Sequence, residues 1–399
     1  MLSLRPLADS HVHFSDHRQI RAFAEYIHAF NLEAVGIVSL PDFHRMNFNP
    51  EAIYGKLVAP ALVDELVEGD KDNRFNPFSD VAPEVSVFAF GGLDYSGLVH
   101  QVADVEVDFA AQLRELHAIG FDGIKMWAGK PHFQARTGLP LHGAAYGPLF
   151  HEAGRLGMPV VIHVADPPLF WRGQSGGINA ELGIRYDAPG VPSFEELQRQ
   201  AAAICAVHGD TTFIFPHLLF RAGDLPSFYT FMHRYPNAVL DLAPGLYFYA
   251  ELYRRYEDAR SFFHTFRHRI LFGSDGFWFP GHRQDLPRRS PEENAEGTRR
   301  LLRFLTSDAV FENPFEPTRA AVPTVTGLRL PEEVLDAVFY DAFEDLMGPT
   351  SRPVDSRRLD AYLARFEERL RAIGAPDEDV RGVAEIRAEC GRLIEENPT

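Results

Sequence analysis

The stretch Leu7-Ala8-Asp9-Ser10-His11-Val12-His13-Phe14 carries two imidazoles two positions apart. In a β-strand such side chains share a face, so Asp9, His11 and His13 are expected to project to one side. Two converging imidazoles begin a divalent-metal site, which needs at least one further protein ligand to be catalytic. Four more candidates sit as lone polar residues at or near the ends of apolar runs. They are Lys125 in Gly123-Ile124-Lys125-Met126-Trp127, His163 after Val160-Val161-Ile162, His217 after Phe213-Ile214-Phe215-Pro216, and Asp275 after Leu271-Phe272-Gly273-Ser274. Singly, each has a plainer reading as a satisfied buried polar group or a helix cap. Together, several imidazoles and a carboxylate suit zinc with an open position for water, with iron or manganese as alternatives. Cys205 and Cys390 are the only cysteines, so a thiolate cluster is excluded and a disulfide framework is not expected.

The elements that would position these residues alternate. Arg18 to Phe30 has apolar residues at helical spacing, and a strand is expected at Ala34 to Leu40. Further strands are expected near Val85 to Phe90, Gly123 to Trp127, Pro159 to Ala165, Thr212 to His217, Ala238 to Ala243 and Ile270 to Asp275. With the opening strand they alternate with helices and predict an α/β fold, a (β/α)8 TIM barrel with extended βα loops, whose strand ends meet at one mouth. Gly120 and Gly157 read as helix stops directly before strands. Ser193-Phe194-Glu195-Glu196 and Ser290-Pro291-Glu292-Glu293 have capping-box spacing. Residues 42–82 and 166–192 are long βα loops, the first with a helix near Ile53 to Val67. The expected division is a barrel over 1–350 and a C-terminal helical extension over 351–399, with helices from Asp355 to Ile373 and Asp377 to Glu396.

The 399 residues, 45% of them hydrophobic, can bury a large core. The formal charge of −17 speaks against nucleic acid and anionic membranes as partners. No stretch is long and apolar enough for a membrane span, and the start lacks a secretion-signal core, so a cytoplasmic location is expected.

The ordered set Asp9-Ser10-His11-Val12-His13, Lys125, His163, His217 and Gly273-Ser274-Asp275 resembles the amidohydrolase superfamily. The likeness is to its amidohydrolase-related (amidohydrolase 2) branch of metal-dependent TIM-barrel hydrolases and decarboxylases, over about residues 7 to 347. The resemblance implies that His11, His13 and His163 are metal ligands. It implies that Asp275 binds the metal and takes a proton from its water, and that His217 polarises the substrate or joins a second metal. Lys125 falls where binuclear members carry a carboxylated lysine. The cofactor implied is a divalent metal, Zn2+ ahead of Mn2+ or Fe2+, with one or two ions per chain. Leu218-Leu219-Phe220 follows His217 where relatives often place glycine, implying less room beside that imidazole.

The chemistry expected is hydrolysis of a C–N or C–O bond (amide, ester or lactone) in a small acidic or aromatic molecule, through a metal-activated water. Non-oxidative decarboxylation of an aromatic or unsaturated acid is the alternative. Lys125 has three readings: a carbamate bridge, a cation for a substrate carboxylate, or a structural ion pair. Substrate contacts are expected from Trp171, Arg172 and Tyr186 after the fifth strand, Tyr247 and Tyr249 after the seventh, and Trp278, His282 and Arg283 after the eighth. The apolar face of the C-terminal helices (Leu359, Tyr362, Leu363, Phe366, Leu370) would pack on the barrel or pair with a second copy as a homodimer.

Overall fold

The structure is a computed structural model describing residues 6–40, 49–69, 84–100, 107–172, 186–244, 246–278 and 289–396. Its main sheet contains β1 (Leu7–Phe14), β2 (Leu32–Val38), β3 (Ser86–Gly92), β4 (Gly123–Gly129), β5 (Val160–Val164), β6 (Phe213–Phe215), β7 (Ala238–Asp241), β8 (Ile270–Leu271) and β9 (Gly276–Trp278). Neighbours pair in parallel in the order β8-β7-β6-β5-β4-β3-β2-β1-β9. The last two are one barrel strand in two pieces, since β8 pairs with β7 and β9 with β1. Closure runs through Ser10 N, which donates to Phe272 O at 2.9 Å, and Asp275 N, which donates to His11 O at 2.9 Å. The result is the expected (β/α)8 TIM barrel.

Parity along each strand separates two apolar layers. Ala8, Ala34, Phe88, Phe90, Val161, Ile214, Val239 and Leu271 form one cluster, closed at the bottom by Phe343. Their chain neighbours, among them Val35, Val87, Val160, Phe213 and Leu240, pack outward with the helices. This alternation lets one strand feed the barrel interior and the helical shell at once. Polar residues two places beyond the inner layer, His163 after Val161 and Asp241 after Val239, therefore face the mouth.

Helix ends follow the sequence signals. Gly120 (φ 114°) and Gly157 (φ 65°) close their helices in the left-handed region. A side chain at Gly120 would also meet Pro353 O at 2.3 Å. The capping box at Ser290 and Glu293 is formed, and Ser193 Oγ accepts from Glu196 N.

The helices Ser356–Ala372 and Asp377–Glu396 lie against each other and against the barrel's own helices. Leu359, Leu363, Ile386 and Cys390 join the main core. The junction is polar and buried: Lys56 Nζ donates to Asp122 Oδ2 at 2.7 Å and to Gly120 O at 2.8 Å, and Arg352 N donates to Asp122 Oδ1 at 2.7 Å. Among the described residues no helix is long and apolar enough to cross a membrane.

Candidate metal centre

β1 carries the first two donors, with one departure from the expected pattern. Its register against β2 shifts between Asp9 and Val12, which reverses the parity of the strand there. His11 and His13 face the mouth, whereas Asp9 turns outward and does not share their face. Its carboxylate accepts from Tyr26 Oη at 2.9 Å and Ser274 N at 2.9 Å. Burial, against these hydrogen bonds, pushes its pKa up to about 6.

Three of the inward imidazoles are held through Nδ1. His13 Nδ1 donates to Val38 O at 2.9 Å and His217 Nδ1 to Ala243 O at 2.8 Å. His11 Nδ1 lies 2.8 Å from Asp241 Oδ2. A carbonyl or carboxylate only accepts, so these bonds place the proton on Nδ1 and leave the Nε2 lone pair for the interior. Burial above all holds the pKa values of His11, His13 and His217 below the ordinary range.

Asp275 completes the group. It has φ 53°, an uncommon conformation for a residue with a Cβ, and divides the last barrel strand. Its Oδ1 lies 3.4 Å from His13 Nε2 and 3.8 Å from His11 Nε2. Burial alone would raise its pKa. The imidazoles of His13, His217 and His11, when protonated, more than offset this and hold it well below the carboxylate range. His11, His13 and Asp275 offer ligand atoms all within 4.8 Å of one another, the only such group among the described residues. Two neutral imidazoles and a carboxylate fit a divalent ion in both donor type and charge.

Of the other predicted ligands, Lys125 and His217 lie beside this triad, and His163 lies beyond His217. Lys125 Nζ is 3.2 Å from His11 Nε2, and burial brings its pKa down to about 8. His217 Nε2 is 3.3 Å from His163 Nδ1. The far nitrogen of His163, Nε2, is 3.4 Å from Asp166 Oδ1 and 3.4 Å from Lys130 Nζ. His217 opens a run of four left-handed residues through Phe220, with φ from 50° to 58°. Such backbone is costly without glycine and recurs at functional sites. Leu218 and Leu219, in this run, are almost fully buried.

The predicted substrate contacts divide. Tyr186 is buried, and its hydroxyl donates to Asp166 Oδ2 beside His163. Trp171 packs behind it, 4.9 Å between ring centres, and donates from Nε1 to Pro192 O. Arg172 is exposed. Tyr247 is buried against Phe315, and Tyr249 against Phe304. Trp278 faces away from the site: it is fully buried outside the barrel, 4.9 Å from the Phe23 ring and 5.0 Å from Tyr26. The next residue back takes the inward position, and Phe277 stacks on His13 at 4.9 Å. His282 and Arg283 lie outside the described residues.

Sequence reasoning missed Asp241 and Asp166, the carboxylates beside His11 and His163. Asp241 had a usable signal, a lone acid ending the apolar run Ala238-Val239-Leu240. Asp166 sits in a loop and had none.

The family profile Amidohydro_2, described as Amidohydrolase, matches residues 93–342, more than half of the chain. The chain belongs to that family. The matched region begins after β3 and ends before the C-terminal helices, so it contains Lys125, His163, His217 and Asp275 but not His11 and His13. None of the curated proteins compared matches the chain. Among solved structures it is similar to a TIM-barrel protein from Bordetella bronchiseptica, at 12% identity and TM-score 0.46, over 86% of this chain and 99% of that one. It is also similar to 2,6-dihydroxybenzoate decarboxylase from Rhizobium, at 12% identity and TM-score 0.41, over 86% and 98%. A third is 4-oxalomesaconate hydratase from Rhodopseudomonas palustris, at 11% identity and TM-score 0.41, over 91% and 99%.

Proposed function

We propose that this member of the amidohydrolase family is a metal-dependent hydrolase acting on an amide, ester or lactone bond of a small acidic or aromatic molecule. The observation that carries the reading is the convergence of His11, His13 and Asp275 within 4.8 Å. Three protein ligands with a position left for water are the pattern of a catalytic rather than a structural zinc site. When bound, a divalent cation lowers the pKa of a water to about 7 and polarises the substrate carbonyl.

The chain's own groups do the rest. His11 and His13 would hold the ion through Nε2, and His163 and His217 would complete the cage or serve a second ion. Asp275, kept ionised by its imidazole neighbours, accepts the proton of the attacking water and returns it to the leaving group. His217, if not a ligand, presents its Nε2 lone pair to the substrate, and only a proton gained there in the reaction would let it stabilise the oxyanion. Lys125, with its pKa near 8, stands in direct contact with His11 and suits either a bridging carbamate or a charge partner.

A second reading is decarboxylation of an aromatic or unsaturated acid, with Asp275 or His217 protonating the carbon. It is favoured by the apolar group of Leu40, Phe277 and partly buried Trp127 beside His13. The two separate on one assay. Zinc-loaded protein is given amides, esters and lactones of small aromatic and acidic compounds in labelled water, alongside the free acids. Incorporation of one solvent oxygen into the released acid supports hydrolysis; carbon dioxide from the free acids establishes the alternative, and neither product overturns both.

A further inference from the structure

The barrel mouth holds a cation that the metal centre does not use. Lys130 directly follows β4, and its Nζ donates to Asp166 Oδ1 at 3.1 Å. The same Nζ lies 3.4 Å from His163 Nε2 and 5.5 Å from the centre of the Trp127 ring. Within the ion pair the ammonium is the more open partner, its side chain 15% exposed against 6% for Asp166. Asp166 is engaged on both oxygens, Oδ1 by Lys130 and His163 and Oδ2 by the Tyr186 hydroxyl. The carboxylate thus anchors the ammonium, and an ammonium has three protons to give. Lys125, the other lysine at this mouth, is 1% exposed and cannot play the same part.

A second observation lies close by. His132, at the start of the helix Pro131–Thr137, has a buried Nδ1 with no hydrogen-bond partner. Its ring centre is 6.4 Å from that of Trp127, the indole that Lys130 also overlies. A buried polar atom left unsatisfied is costly and points to a group that arrives from outside. Trp127 itself packs with Leu40 and Phe277, so an apolar surface adjoins both polar groups.

We infer that Lys130 and His132 form the subsite that receives the carboxylate of the substrate, with Trp127 as its apolar wall. Lys130 is then a specificity-determining residue: it selects acids over their neutral counterparts and sets the substrate's carboxylate beside His163. The inference deepens the hydrolase reading and rests on it for the identity of the reaction, but the subsite is built from this chain's own side chains and can be tested apart from it.

Benzoate and its uncharged counterpart benzamide are titrated into metal-free and zinc-loaded protein, with binding followed by calorimetry and tryptophan fluorescence. Metal-free protein decides the matter, because zinc itself attracts carboxylates. The expected result is benzoate binding at least about tenfold tighter than benzamide, the size of one charge-assisted hydrogen bond. K130M should erase that preference, K130R keep most of it, and H132F weaken it. Absence of benzoate binding, equal affinity for the two probes, or a preference intact in K130M overturns the inference and leaves Lys130 as a structural partner of Asp166. Thermal melting checks that K130M folds, and if it does not, an unchanged preference in H132F overturns the inference instead. Zinc that fails to bind counts against the hydrolase reading and leaves the subsite to be judged on the metal-free titration.

Discussion

The Asp241 carboxylate stands 2.8 Å from His11 Nδ1, and both side chains are 1% exposed. This contact fixes which nitrogen of His11 is free to face the ion. Partners of this kind are worth about 10- to 100-fold in metal affinity. Asp241→Asn is therefore expected to weaken zinc binding by about that factor while leaving the barrel folded, as read by competition with a chromophoric chelator. An unchanged affinity would show that His11 is oriented by something else.

Lys56 and Asp122 form a buried ion pair, 4% and 3% exposed, beneath the C-terminal helices. Removing one partner leaves an uncompensated buried charge, which costs about 3–5 kcal/mol. Lys56→Met alone should lose that much in chemical denaturation. The double variant with Asp122→Asn should lose less than the two single changes added together. Strict additivity would mean that the pair is not coupled.

Neither cysteine is placed to react. Cys205 and Cys390 are free and buried, and burial raises both thiol pKa values, that of Cys390 to about 12. The native protein should resist Ellman's reagent, and both thiols should titrate on unfolding. Rapid native labelling of either would contradict this placement.

His132 supplies a pH signature. Burial, then the Lys130 charge, depresses its pKa from 6.5 to about 4. The unfolded chain binds a proton below pH 6.5 that the folded chain refuses, so folded stability falls as pH drops from there towards 4. The contribution is up to about 3 kcal/mol. Metal-free H132F should lose less stability than the parent between pH 7 and about 4.5 in denaturant titrations; parallel losses would remove His132 from the account.

Much of this was legible because barrel strands are short apolar runs, and a single polar residue at such a run's end stands out. His163 shows it, and Asp241 would have under the same criterion. What failed was parity. The shift in β1 that turns Asp9 toward Tyr26 leaves no mark in a sequence period of two. The left-handed Asp275 resets the phase of the last strand, so Phe277 and not Trp278 meets His13. Lys130 and Asp166 come from different loops, and only the closed barrel brings them together.

The most direct test is zinc bound per chain, measured by equilibrium dialysis on the parent protein and on His13→Ala and Asp275→Ala. The parent is expected to hold at least one equivalent, with both variants losing most of it while retaining the parent's circular dichroism. A parent that binds no zinc, or variants that bind it as tightly, would contradict the assignment of these side chains as a metal cage.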